Sequence, residues 1–256
     1  MTRLAQLYLA AMLAFLYLPI LVMMAMGFNR SPHYELPFTF DLIWYKALIQ
    51  NDQLLSAGWN SVWIASVNAV IATTLGTFAT YGLYRFRFGG QRLLQLALFP
   101  PITIPWLVIG ISMLIFFFWT GIGRGLHAIL LGHVALSLPY VIIVVGAQFQ
   151  NASPQLEEAA ATLGATPLQI FRRITLPILA PGIAAAAAFA FAVSFDQFAI
   201  SSFLAAPGLS TLPVEIYSAI RKGFTPEINA ISTIIILVSM SLLLLVAHTY
   251  KFGGER

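Results

Sequence analysis

Asp196 is the residue best placed to do chemistry in this sequence: it is the one acidic side chain well inside an apolar run, with Phe191, Phe195, Gln197 and Phe198 around it. On a continuous helix it would lie ~27 Å from that run's start, in the outer half of a ~30 Å hydrocarbon core. A carboxylate there costs ~2.5–3.5 kcal/mol and normally faces a cavity or a partner. Charge plus ring faces is a way to hold an organic cation. A structural hydrogen bond to a neighbouring helix or a dimer partner is the other reading, and the residues alone leave both open. The remaining reactive side chains form no set. His33, His127, His133 and His248 lack metal-ligand spacing and acidic company, so His127 and His133 are expected to serve interfaces or helix packing. Gly121-Ile122-Gly123-Arg124-Gly125 has no preceding strand and no lysine to make it a phosphate loop. No serine–histidine–acid or paired-carboxylate arrangement points to catalysis, and no nucleotide-binding lysine motif is present.

The second informative stretch is polar and runs over 151–177. Ser153 is expected to cap a helix whose first residue, Pro154, lacks an amide hydrogen that would go unpaired there anyway. Glu157 and Glu158 fall in its first turns, where negative charge complements the helix dipole. Gly164 is placed to end it. Thr166 and Gln169 then form a capping box opening a second short helix, which Pro177 is expected to close. The product is a bent pair of short helices with an alanine face (Ala159, Ala160, Ala161), a shape suited to another protein's groove.

Composition sets the solvent for these elements. With 59% hydrophobic and 9% charged residues among 256, the surface needs a bilayer. The chain has no cysteine, hence no disulfide or thiolate metal site. Its net charge of +4 comes from basic residues scattered at segment ends, which argues against a nucleic-acid partner. Six runs reach the ~20 apolar residues of a membrane-spanning helix: roughly Leu4–Phe28, Asn60–Tyr84, Leu93–Trp119, His127–Phe149, Ile178–Leu204 and Pro226–Tyr250. The first is about twice the ~7–15 residues of a signal core and is read as a retained span. With both termini and the 151–177 loop on the cytoplasmic side, that side holds Arg3, Arg85, Arg87, Arg92, Arg172, Arg173, Lys251 and Arg256. The outer side then holds only Arg30, Lys46, Arg124, Arg221 and Lys222, the expected positive-inside bias.

Finer features follow from local signals. Pro100, Pro101 and Pro105 should bend the third span beside a cavity or a helix seam. Ala184–Ala188 should be buried against neighbouring helices. Phe38, Phe40, Trp44 and Tyr45 predict an outer interfacial helix, and Pro213 to Gly223 predicts another. Thr225-Pro226-Glu227 reads as the cap, proline and first-turn acid of the last span.

Glu158-Ala159-Ala160, then Gly164, then Ile174-Thr175-Leu176-Pro177 resembles the EAA loop of permease subunits of bacterial ABC importers, with every defining position at the expected spacing. The resemblance implies an all-α, polytopic membrane protein of the type I ABC importer permease fold. It further implies six transmembrane helices and a cytoplasmic coupling helix between helices 4 and 5. Residues 1–256 would form a single permease domain, with a core over about 58–250. Glu157, Glu158, Ala159, Ala160, Gly164, Ile174, Leu176 and Pro177 would carry ATPase coupling. Implied partners are a second homologous permease, two cytoplasmic ATPase subunits that bind ATP and Mg, a periplasmic solute-binding protein and the bilayer of a bacterial inner membrane. Phe195-Asp196-Gln197-Phe198, Ser201-Ser202-Phe203, Pro207-Gly208, Thr211-Leu212-Pro213, Ile216-Tyr217-Ser218, Gly223 and Asn229-Ala230 look like the second permease of the spermidine/putrescine branch. Phe195, Asp196, Gln197 and Phe198 are the implied substrate-path candidates for a polyamine-type cation. Where that branch usually has a second acid, this chain has Gln197. Aminoethylphosphonate, opine and ferric-iron importers belong to the same branch. A proton-coupled secondary transporter using Asp196 as relay is the rival from another class, and it lacks a second ionisable partner in the spans.

Overall fold

The structure, a computed structural model of the chain, describes residues 3–32, 35–150, 152–223 and 226–253, with side chains described as far as residue 241. Thr225, the expected cap of the last helix, lies outside the described residues, as do Asn151 and His33. The helices in order are α1 (Arg3–Met26), α2 (Ile43–Ile49), α3 (Asp52–Arg85), α4 (Gln91–Ala97), α5 (Pro100–Thr103), α6 (Trp106–Trp119), α7 (Leu126–Gln150), α8 (Pro154–Thr162), α9 (Pro167–Ile170), α10 (Leu176–Phe195), α11 (Phe198–Leu204), α12 (Leu212–Lys222) and α13 (Glu227–Gly253). A π-helical turn, Phe171–Thr175, joins α9 to α10.

Among the described residues four helices are long and apolar enough to cross a bilayer: Arg3–Met26, Asp52–Arg85, Leu126–Gln150 and the continuous Pro167–Phe195. The predicted third span is not one straight helix. Gln91–Thr103 and Trp106–Trp119 meet at 109°, and together make a fifth crossing when taken as one broken span. The cause is local: the backbone is extended at Ile104 and Pro105, between the end of α5 and the start of α6, and Pro105 has no amide to continue α5. Helix α13 runs over Glu227–Gly253, and the part of it with described side chains, Glu227–Ser241, is apolar.

Three further expectations are corrected. Pro177 does not close a short helix, because the widened π turn precedes it and leaves it in the first turn of α10, where a missing amide costs little. The predicted fifth span stops at Phe195 and resumes as α11 at Phe198. The outer interfacial helix begins at Ile43, not near Phe38: Phe40 instead pairs with Asn29 in an isolated bridge and stacks on Phe28 at 5.7 Å.

The chain divides into two compact units, Met1–Leu55 with Ile216–Arg256, and Ser56–Glu215. In the first, α13 packs on α1 and α2. Fully buried Asn29 organises the loop before α2, accepting from the Thr39 amide at 3.1 Å through its side chain and from Trp44 Nε1 at 2.7 Å through its carbonyl. Helix α1 has no buried residue, so its apolar surface requires lipid or protein around it.

In the second unit α7 is the central rod, touched on several sides. One apolar cluster joins Ile64, Phe117, Ile129, Leu136, Ile200 and Leu204; another joins Ala72, Val141, Val145, Leu179, Ala186 and Ala190. Close approach is achieved by small residues. Gly182, Ala186 and Ala190 form the buried stripe of α10, whereas Ala184, Ala185 and Ala188 are exposed, so only part of the predicted alanine face is covered. Asn68 of α3 is buried and donates to Ser137 Oγ and to the Ala190 carbonyl, each at 3.0 Å, binding α3, α7 and α10 through one side chain. The Asn68 amide nitrogen is satisfied by these two bonds while its buried Oδ1 has no partner. A donor paired in this way favours helix association in lipid, where an unpaired one is costly.

Candidate functional site

The polar stretch folds into an elbow whose parts have separate physical causes. Pro154 begins α8 as expected, but Ser153 does not cap it through the backbone; its hydroxyl donates to the Gln155 side chain. Helix α8 ends where Gly164 takes φ +84°, a left-handed conformation that glycine adopts without a Cβ penalty. The Gly164 and Ala165 amides then close on the carbonyls of Ala161 and Ala160, each at 3.0 Å. Thr166 and Gln169 form the reciprocal capping box, with Thr166 N to Gln169 Oε1 at 2.8 Å and Gln169 N to Thr166 Oγ1 at 3.4 Å.

The two glutamates of α8 part company. Glu157 is buried at 7% exposure: its Oε2 lies 2.9 Å from Arg85 Nε and its Oε1 accepts from Thr175 Oγ1 at 2.7 Å. Glu158 is exposed, together with Ala159 and Gly164, while Ala160 and Ile174 are half-buried and Leu176 and Pro177 are exposed. Leu163 stands 88% exposed and, with Gln169, Arg173 and Ile174, lines an open cleft of about 290 Å³; Leu168, Gln169, Arg172 and Arg173 line another of about 420 Å³. Beneath the elbow, Phe171 packs against Tyr81 at 4.9 Å and Phe78 at 5.9 Å, and Tyr84 lies on Phe149 at 5.6 Å. Arg85 and Thr175 were not legible as partners of Glu157, since nothing local marks a residue so far away along the chain.

The second site is the break between α10 and α11. Asp196 is the last-turn cap of α10, its amide bonded to the Ala192 carbonyl at 3.1 Å and its side chain exposed. Gln197 is buried; its Oε1 accepts from the Ala199 and Ile200 amides and so caps α11, while its Nε2 has no partner. Phe195 and Phe198 are half-buried, and Phe195 stacks on Phe191 at 5.9 Å. Flanking the break, buried His133 of α7 joins Ser194 Oγ through Nδ1 at 2.8 Å and Ser201 Oγ through Nε2 at 3.1 Å. The expected packing role of His133 thus takes a definite form, one ring pinning both sides of an interrupted helix. The two hydroxyls are seven residues apart in sequence, a spacing that would share a face only on an uninterrupted helix; here they sit on either side of the break.

Several helices long and apolar enough to cross a bilayer, one bent pair and a polar elbow at the end of a long helix mark a polytopic membrane protein. The chain belongs to the family described as binding-protein-dependent transport system inner membrane component, whose model matches residues 72–251. It is similar to the spermidine/putrescine transport system permease protein PotC of Escherichia coli (strain K12), 35% identical over 233 residues that cover 91% of this chain and 88% of that one. It is also 36% identical over 230 residues to the putrescine transport system permease protein PotI of the same organism, covering 87% and 82%. Among solved structures, a bacterial alginate ABC transporter in complex with an alginate pentasaccharide-bound periplasmic protein matches with TM-score 0.76 at 18% identity, over 98% of this chain and 95% of that one. An inward-facing MetNI methionine ABC transporter matches with TM-score 0.65 at 18% identity, over 79% and 96%. The fold is therefore that of an ABC importer permease. The chain is the transmembrane, non-catalytic subunit of such an importer, in the inner membrane.

Proposed function

We propose that this permease forms, with a second homologous permease, the pathway for a polyamine-type organic cation. A periplasmic binding protein delivers the solute, and two cytoplasmic ATPase subunits, which bind ATP and Mg, drive the cycle by pushing on the elbow of residues 152–177. Residues 1–256 act as one permease domain in this reading, with both termini and the elbow on the cytoplasmic side. The reading is supported by the similarity over most of the chain to permeases named for spermidine and putrescine. The observation that carries it is the outward presentation of Glu158, Ala159, Leu163 and Gly164 on an elbow held at the ends of two long helices. A face of that kind, with its apolar tip uncovered, needs a partner protein. Asp196, exposed at a helix break and beside stacked rings, supplies the single negative charge for the solute; Phe195 and Phe198 flank it and Gln197 holds the break.

The test is Glu158→Arg in the assembled transporter in proteoliposomes. ATP hydrolysis should continue while spermidine uptake falls at least about tenfold. Wild-type uptake would refute the role of the elbow, and uptake that persists without the ATPase but collapses with a protonophore would refute the importer class.

A further inference from the structure

Helix α8 is attached to the rest of its unit in an unusual way. Glu157 is its one buried residue; Leu156, Glu158, Ala159, Ala161 and Thr162 are exposed and Ala160 is half-buried. A helix this short, with no buried apolar side chain, has no hydrophobic means of keeping its place. The attachment is polar and directional. One oxygen of Glu157 takes the Arg85 guanidinium at the end of α3, and the other takes the Thr175 hydroxyl in the π turn that feeds α10. Those two receiving elements are already locked to each other, because Phe171 of the π turn packs on Tyr81 and Phe78 of α3.

From this geometry we infer that Glu157 is a positioning residue for energy coupling: Arg85, Glu157 and Thr175 form a clasp through which displacement of α8 reaches α3 and α10 together. The inference rests on the reading of the elbow as the ATPase-docking segment, and it assigns opposite duties to adjacent carboxylates. Glu158 faces the partner, and Glu157 faces the permease. A clasp of one carboxylate shared by two helices transmits force only while both bonds hold. Glutamine at 157 keeps an acceptor for Thr175 but loses the charge that holds Arg85.

The experiment uses the whole transporter in lipid nanodiscs with a nitroxide on Ala161→Cys, in a chain that has no other cysteine. The parent should give one ordered spectrum, and Glu157→Gln or Arg85→Gln should add a mobile component. The reversed pair, Arg85→Glu with Glu157→Arg, rebuilds the ion pair and offers the Thr175 hydroxyl oxygen an N–H to accept from, so it should restore the ordered spectrum. This reading needs no substrate. In proteoliposomes, spermidine accumulated per ATP hydrolysed should fall about tenfold in each single variant and return to within about threefold of the parent in the reversed pair. An unchanged ratio in the single variants, or a reversed pair no better than either, overturns the clasp. Glu158→Arg with normal uptake overturns instead the docking reading beneath it, so the two failures are told apart.

Discussion

At the scale of single residues, the same side-chain type does opposite things according to what the fold puts beside it. Glu157 is an internal tie and Glu158 an outward contact, though they are neighbours on one helix. Asp196 and Gln197 repeat the pattern at the break, one exposed and one buried as a cap for α11. Replacing Asp196 by Asn keeps the shape and removes the charge. If the carboxylate meets the cation on its way through, spermidine uptake should slow by about tenfold, equivalent to ~1.4 kcal/mol in the barrier. The affinity of the binding protein for spermidine, measured by calorimetry, should not change. An unaltered uptake rate would make Asp196 a structural residue.

Elements are held together here by close backbone approach as well as by clusters of large side chains. A Cβ on Gly76 of α3 would stand 2.4 Å from Val141 Cγ1 of α7, closer than any real contact, so these helices touch through a glycine. Gly76→Ala should therefore lower stability by about 1–3 kcal/mol through overpacking. Gly58, on the same helix with nothing within 4 Å of its added Cβ, should tolerate alanine or gain from it, since alanine is the better helix former by ~1 kcal/mol. Thermal midpoints of the two variants in detergent check the contrast; equal effects would refute the close-approach account. The breaks are also properties of elements. Pro105 separates α5 from α6, and a π turn lets α9 flow into α10 past Pro177.

For the whole molecule, the decisive quantity is which end of each rod meets the cytoplasm. Arg85, Arg87, Arg92, Arg172 and Arg173 cluster near helix ends on the elbow's side, where the positive-inside bias acts most strongly. Because the chain carries no cysteine, one introduced at Leu163, an 88% exposed residue of the elbow, reports orientation without background. A membrane-impermeant maleimide should label it only after the membrane is opened. Labelling in intact spheroplasts would invert the orientation, and the proposed coupling would fall with it.

Much of this fold was legible because its signals are local. Apolar length marks a span, a proline marks a missing donor, and Gly164 or the Thr166–Gln169 box marks a helix end within a few residues of itself. The membrane class, four of the apolar spans and the elbow's outline follow from such signals alone. The tertiary structure decided which carboxylate is buried, where the fifth span breaks, and that His133 pins the break. Those outcomes depend on groups brought together from distant parts of the chain, Arg85 to Glu157 and His133 to Ser194 and Ser201. A polar group's fate in a low-dielectric interior is set by the partner it finds in space, and a partner dozens of residues away leaves no mark on the local pattern.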